Sequence, residues 1–228
     1  MDPWMLAKDG HFAAAIAAYS SCLKESPTVP NYRNRALCYL NLGELDAALA
    51  DFEAAEAIRK SSGDVNLKSI GVVHWLAGRP EEATAIWEQA VQGLDSGKLT
   101  YTDAAGGVES PSLLWFAAVR LGDKEKRQAA ERSLQRVRRT GRRDCFPAAI
   151  GPFLLGDQTA EGVRASISDV PIRRERDLCK VEFYVAAKAL AEGRPTEYQQ
   201  GLRRCVKHSV AILENELYLA RYELLRQV

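Results

Sequence analysis

No apolar run in this sequence approaches the ~20 residues that a bilayer-crossing helix needs, and the N-terminus has no leader pattern of basic then apolar residues. A cytoplasmic location is therefore expected. Cysteine is scarce and odd in number, with Cys22, Cys38, Cys145, Cys179 and Cys205 in no paired spacing. That argues against a disulfide scaffold and for a reducing compartment. Cys205 and His208 alone stand within three residues of each other, so neither a metal site nor any other cofactor is expected. Nine prolines and sixteen glycines are few for 228 residues rich in alanine and leucine, which favours an all-α chain. Also missing are a phosphate-cradling glycine loop, a zinc-protease histidine pair and a serine nucleophile elbow. His74 fits a packed position, while His11 and His208 stand at helix ends where an imidazole is commonly solvated. The expectation is a protein that is not an enzyme.

What the chain does have is an internal repeat. Gly10, Gly43 and Gly78 stand 33 and 35 residues apart. Five, nine and twelve positions after each come a small, an aromatic and a small residue: Ala15, Tyr19 and Cys22, then Ala48, Phe52 and Ala55, then Ala83, Trp87 and Ala90. The period is that of a two-helix hairpin. The glycine reverses the chain, the first small residue lets the two helices cross closely, and the aromatic fills the gap between neighbouring hairpins. Cys22 and Cys205 take the last small slot of their hairpins, as small buried apolar residues. Upstream of the turn, small residues recur at Ala36 and Gly71, flanked by Tyr32 and Tyr39 or by Leu67 and His74.

These positions resemble the tetratricopeptide repeat family over roughly residues 1–95. The C-terminal half is similar to the tail of stand-alone bacterial members, on the spacing of Cys179, Phe183, Tyr184 and Gly193 and on the closing stretch 218–224. The resemblance implies a right-handed α-solenoid of hairpins with a concave groove that binds other chains.

Three hairpins are expected in residues 1–95, the first with a short leading helix, so that the numbering starts part-way through a repeat. A Gly-, Ser- and Thr-rich loop, 96–110, interrupts the pattern. Residues 111–228 continue the same solenoid with degenerate hairpins, in which Arg127 and Glu131 replace the small and aromatic signature. A closing helix, 211–227, has Leu213, Leu217, Ala220 and Leu224 on one face and is expected to cap the exposed end.

The resemblance also implies which residues face the groove. They include Arg33, Asn34 and Leu37 from the second hairpin, Lys68, Val72 and Trp75 from the third, and Phe116 and Arg120 from the fourth. Cations beside exposed aromatics suit an acidic, partly apolar peptide. The alternative is that Trp75 and Phe116 pack against the 96–110 loop. One subclass of the family grips chaperone C-termini, and Asn34-Arg35-Ala36 resembles the middle of that clamp. Trp4 stands where the clamp needs an asparagine, so that ligand is not expected.

Charge offers a second surface. Net charge is +1, but residues 1–113 carry −6 and residues 114–228 carry +7. Opposite ends of that kind favour different partners, or head-to-tail self-association. Residues 124–143 hold nine Lys or Arg, and on the helix they form Ala130, Leu134 and Val137 make one face while Arg132, Arg136 and Arg139, with Arg143 beyond, make the other. The leading expectation is thus a non-catalytic adaptor, chaperone-like or toxin-neutralising protein that binds a partner protein or peptide. The rival is nucleic-acid binding through the 124–143 face.

Overall fold

The computed structural model describes residues 2–58, 65–99, 107–140 and 146–226, with the main chain alone at 65 and 138–140. Among the described residues there are thirteen helices and no strand, as the helical periodicity required. They run α1 (Pro3–Lys8), α2 (Phe12–Glu25), α3 (Val29–Leu42), α4 (Leu45–Ile58), α5 (Val65–Leu76), α6 (Pro80–Asp95), α7 (Glu109–Leu121) and α8 (Lys124–Thr140). After these come α9 (Ile150–Leu155), α10 (Ala160–Ala165), α11 (Pro171–Ala191), α12 (Pro195–Cys205) and α13 (Asn215–Leu225). None is long and apolar enough to cross a membrane.

Local chemistry sets the boundaries. The Asp2 carboxylate accepts from the Trp4 N–H at 3.0 Å and Pro3 opens α1, where its missing N–H costs nothing. Thr28 caps α3 in the same way through the Asn31 N–H. Gly43 ends α3 at φ +78°, a left-handed conformation that would strain a side-chain-bearing residue. Gly78, Gly122, Gly156 and Gly193 repeat that stop.

Consecutive helices pack as antiparallel pairs, each pair against the next. Ala15, Ala48 and Ala83 are completely buried at the crossings, with Tyr19, Phe52 and Trp87 buried beside them. Gly71 shows why a small residue is required upstream: a Cβ there would come within 2.4 Å of the Trp87 indole nitrogen, which donates to the Lys68 carbonyl at 3.1 Å. Arg35 ties three helices together, donating to both Asp51 oxygens at 2.7 Å and to the Ser20 hydroxyl at 2.8 Å. Its role in the Asn34-Arg35-Ala36 run is structural. Cys22, expected buried, is only half-buried, because α2 follows a leading helix of six residues that covers less of it.

The degenerate C-terminal pairs keep the architecture by other means. In the α7–α8 pair, Trp115 supplies the missing aromatic from the opposite helix and donates to Glu131 at 3.2 Å, while Arg127 lies over its ring. In the α11–α12 pair the signature small position holds Tyr198, and the close approach is made three residues later by Gly201 against Ala186. Cys205 is buried as expected and faces Cys179 across that pair. His208 is not a solvated imidazole, since its Nδ1 lies 2.7 Å from Glu175.

The closing helix is shorter than expected. Residues 206–214 form turns, so α13 begins only at Asn215. Besides packing on α12, α13 lies against α5 and α11. It is buried on more than one face: Leu217, Tyr218, Leu219 and Ala220 are covered, and so are Glu216 and Glu223. This helix takes its carboxylates inside.

Candidate partner-binding site

The eight residues projected onto the groove come from α3, α5 and α7, the leading helices of hairpins two to four. The groove expected to be open is filled over much of this length by the chain itself. Leu37, Val72, Trp75 and Phe116 are all buried, and Trp75 is 3% exposed. An aromatic ladder runs through the covered part, with centroid separations of 5.9 Å for Trp87 and Trp75, 5.4 Å for Trp75 and Phe116, and 4.8 Å for Phe116 and Phe183. Phe183 is on α11, so part of the cover is contributed by the sixth hairpin.

The rest of the cover is α13. Glu223 accepts from the Trp75 indole at 3.0 Å, from Arg120 Nε at 2.6 Å and from the Tyr198 hydroxyl at 3.0 Å. One turn and a half earlier, the Tyr218 hydroxyl accepts from Asn41 Nδ2 at 2.7 Å and donates to the Ile212 carbonyl at 2.6 Å. A buried carboxylate is tolerated only when its oxygens are satisfied, and Glu223 has three donors. The cation and the aromatic expected at the surface meet inside the chain instead: Arg120 and Trp75 share Glu223.

Lys68 is likewise paired. Glu109, at the first position of α7, bridges Lys68 and Lys180, and Lys180 reaches on to Glu214 at 2.8 Å. Arg176 pairs with the same Glu214, and Tyr184 donates to Glu216 at 3.0 Å. Burial would raise the Glu109 carboxyl, but Lys180 and Lys68 outweigh it and hold it well below the carboxylate range. Burial also dominates at Glu216, where Lys180 only partly offsets it and Glu109 and Glu214 add to it, pushing the carboxyl up to about 7.

The first half of α3 is different. Arg33 and Asn34 are half-buried, and among the described residues the Arg33 guanidinium has no ion pair. Burial depresses it, with the charge of Glu109 opposing. Arg33 opens instead onto a cavity whose wall also includes Asn215 and Glu216 at the start of α13.

On the second predicted surface, Ala130, Leu134 and Val137 face the core as expected, and Arg132 is exposed. Arg136 is tied to Asp95, donating to its carbonyl at 2.8 Å as well as to its carboxylate. The Arg139 side chain and Arg143 lie outside the described residues. Sequence reasoning missed Glu109, Lys180, Glu216 and Glu223. A faint signal was present: Glu216 and Glu223 are seven apart, on one stripe of a helix whose neighbours on that side are apolar.

The family comparison falls on the second hairpin. The tetratricopeptide repeat profile matches residues 30–62, which take in α3 from Pro30 onward and all of α4. A segment of 51 residues is 47% identical to sperm-associated antigen 1 of Mus musculus and, over the same length, 45% identical to that of Rattus norvegicus. In each case the match takes in 22% of this chain and 6% of the relative, so the chain spans only a small part of the curated relatives it matches. Residues 30–62 are thus similar to a tetratricopeptide repeat, and among the described residues they sit in a helical array of consecutive hairpins.

Proposed function

We propose that this chain is a non-catalytic interaction module that binds a partner protein or peptide of acidic character at the Arg33 end of its concave face. Arg33 and Asn34 on α3 are the residues that meet the partner first. The observation that carries this reading is the contrast along one groove: Lys68 and Arg120 are neutralised by the chain's own Glu109 and Glu223, whereas Arg33 keeps an unpaired, partly desolvated charge. Leu37, Val72, Trp75 and Phe116 serve on this reading as the floor that seats α13. An adaptor acting in the cytoplasm fits the repeat, and a stand-alone protein of bacterial type fits the C-terminal tail.

The test is capture of partners by the immobilised chain beside its Arg33→Glu variant, with the bound proteins identified and a helical circular dichroism signal required of both. Loss of an acidic partner from the variant supports the reading. Equal capture overturns it. The basic face of α8 gives the second outcome: retention on DNA with a steep salt slope, lost in Arg132→Glu, moves binding there. Self-association sensitive to salt and to Arg132→Glu indicates instead a head-to-tail contact between the oppositely charged halves.

A further inference from the structure

A cavity of about 180 Å³ opens where α3, α5, α7, α11 and the start of α13 meet. Five elements far apart in sequence converge on it, and charge dominates its wall. Arg33, Lys68, Arg176 and Lys180 contribute four cationic groups, against the three carboxyls Glu109, Glu214 and Glu216. We propose that this cavity is a binding site for a compact oxyanion, a carboxylate or phosphate group, gripped by the guanidinium of Arg33.

Three observations carry the assignment. First, the wall has one cation more than it has carboxyls, and the ion pairs identify which one is in excess. Glu109 serves Lys68 and Lys180, and Glu214 serves Lys180 and Arg176. Arg33 has no ion pair among the described residues. Second, its guanidinium is drawn partly out of water beside a cavity, with Glu109 acting on it only from a distance. A desolvated, uncompensated cation carries an electrostatic cost that an incoming anion removes. The planar fork of a guanidinium matches two oxygens of a carboxylate or phosphate. Third, the other cations are locked. Lys68 is held by Glu109 of α7, Lys180 by Glu109 and by Glu214 just before α13, and Arg176 by the same Glu214, so the wall is preorganised, and only Arg33 needs to reorient.

Glu216 adjusts the charge of the site. Its carboxyl sits near 7, so it is partly protonated at neutral pH. A monoanion is balanced with Glu216 ionised, and a dianion with Glu216 protonated. Binding of a dianion therefore takes up protons, which calorimetry in buffers of different ionisation enthalpy detects.

The test is calorimetric titration of the full chain with three probes: inorganic phosphate, glutarate and a hexaglutamate peptide. Saturable binding of at least one probe is expected, weakened at least tenfold in Arg33→Gln and unchanged in Arg132→Gln. Phosphate or glutarate binding marks the site as one for a free small anion. Binding of hexaglutamate alone marks it as one for an acidic side chain of a peptide. Should Arg33→Gln fail to fold, modification of Arg33 by phenylglyoxal in the unaltered chain, followed by mass spectrometry, replaces it. Protection by the bound probe is then the expected result. No saturable binding of any probe, equal binding by Arg33→Gln, equal loss in Arg132→Gln, or no protection overturns the proposal. If an acidic partner protein is captured through Arg33 while no probe binds, the interaction reading stands and the oxyanion site falls.

Discussion

In the second hairpin, Arg33, Leu37 and Leu40 stand ten, six and three residues before the turn glycine; in the third, Lys68, Val72 and Trp75 stand at the same distances. The two leading helices share one pattern and one fold, but not one environment. Arg33 is half-buried without an ion pair, while its counterpart Lys68 is buried against Glu109. Trp75 is pinned by Glu223, a residue 148 positions away. The lesson is that repeat register determines which side chains face inward, whereas a distant segment decides what lies against them. A helix docked across these positions makes them part of the core.

The comparison can be broken most forcefully at its roofed end. Trp75→Ala removes a buried ring from the aromatic ladder and leaves a Glu223 oxygen without a donor, so a loss of about 3–5 kcal/mol in denaturant unfolding is expected. A loss under about 1 kcal/mol would mean that α13 does not roof this position. Next comes the pH response of the charge cluster. Glu216 has its carboxyl raised from 4.5 to about 7, so between those values the folded chain holds a proton that the unfolded chain has released. Stability from this group is full below pH 4.5 and is lost as pH rises towards 7, by on the order of 2–4 kcal/mol. Glu216→Gln should flatten that decline, measured as unfolding midpoints across the window. An unchanged slope would place the titration elsewhere.

Ala48→Leu sharpens the comparison by acting where the two hairpins are alike. Ala48 is fully buried at a helix crossing, as is Ala83 in hairpin three, and overpacking either should cost about 1–3 kcal/mol. A thermal melt unchanged by both substitutions would show that these crossings are loose. The smallest effect belongs to Arg132→Glu, on the exposed side of α8, where stability should move by no more than about 0.5 kcal/mol. A larger loss would require an ion pair at Arg132.

Much of the fold was legible because its cause is local. A turn glycine, an alanine at a crossing and an aromatic beside it act within some fifteen residues, so hairpins two and three could be read with their turns in place. The signature's loss at Arg127 and Glu131 misleads, since Trp115 on the facing helix fills the same space. The site was legible only as a set of positions. Arg33 and Lys68 share the wall of one cavity while Val72, Trp75 and Phe116 are buried, and the apolar stripe of residues 211–227, read as an end cap, does not reveal what else the helix lies against. Those contacts turn on burial of Glu216 and Glu223, and burial of a carboxylate depends on partners such as Trp75, Arg120 and Tyr184 that no window of sequence brings together.

The central claim is that α13 seats in the groove through Glu223 and Trp75. A double-mutant cycle with Trp75→Phe and Glu223→Met, read by denaturant unfolding, tests it most directly, because damage done by either substitution alone cancels. The account predicts a coupling of about 1–2 kcal/mol, the value of a buried hydrogen bond to a charged acceptor. Coupling indistinguishable from zero would contradict it.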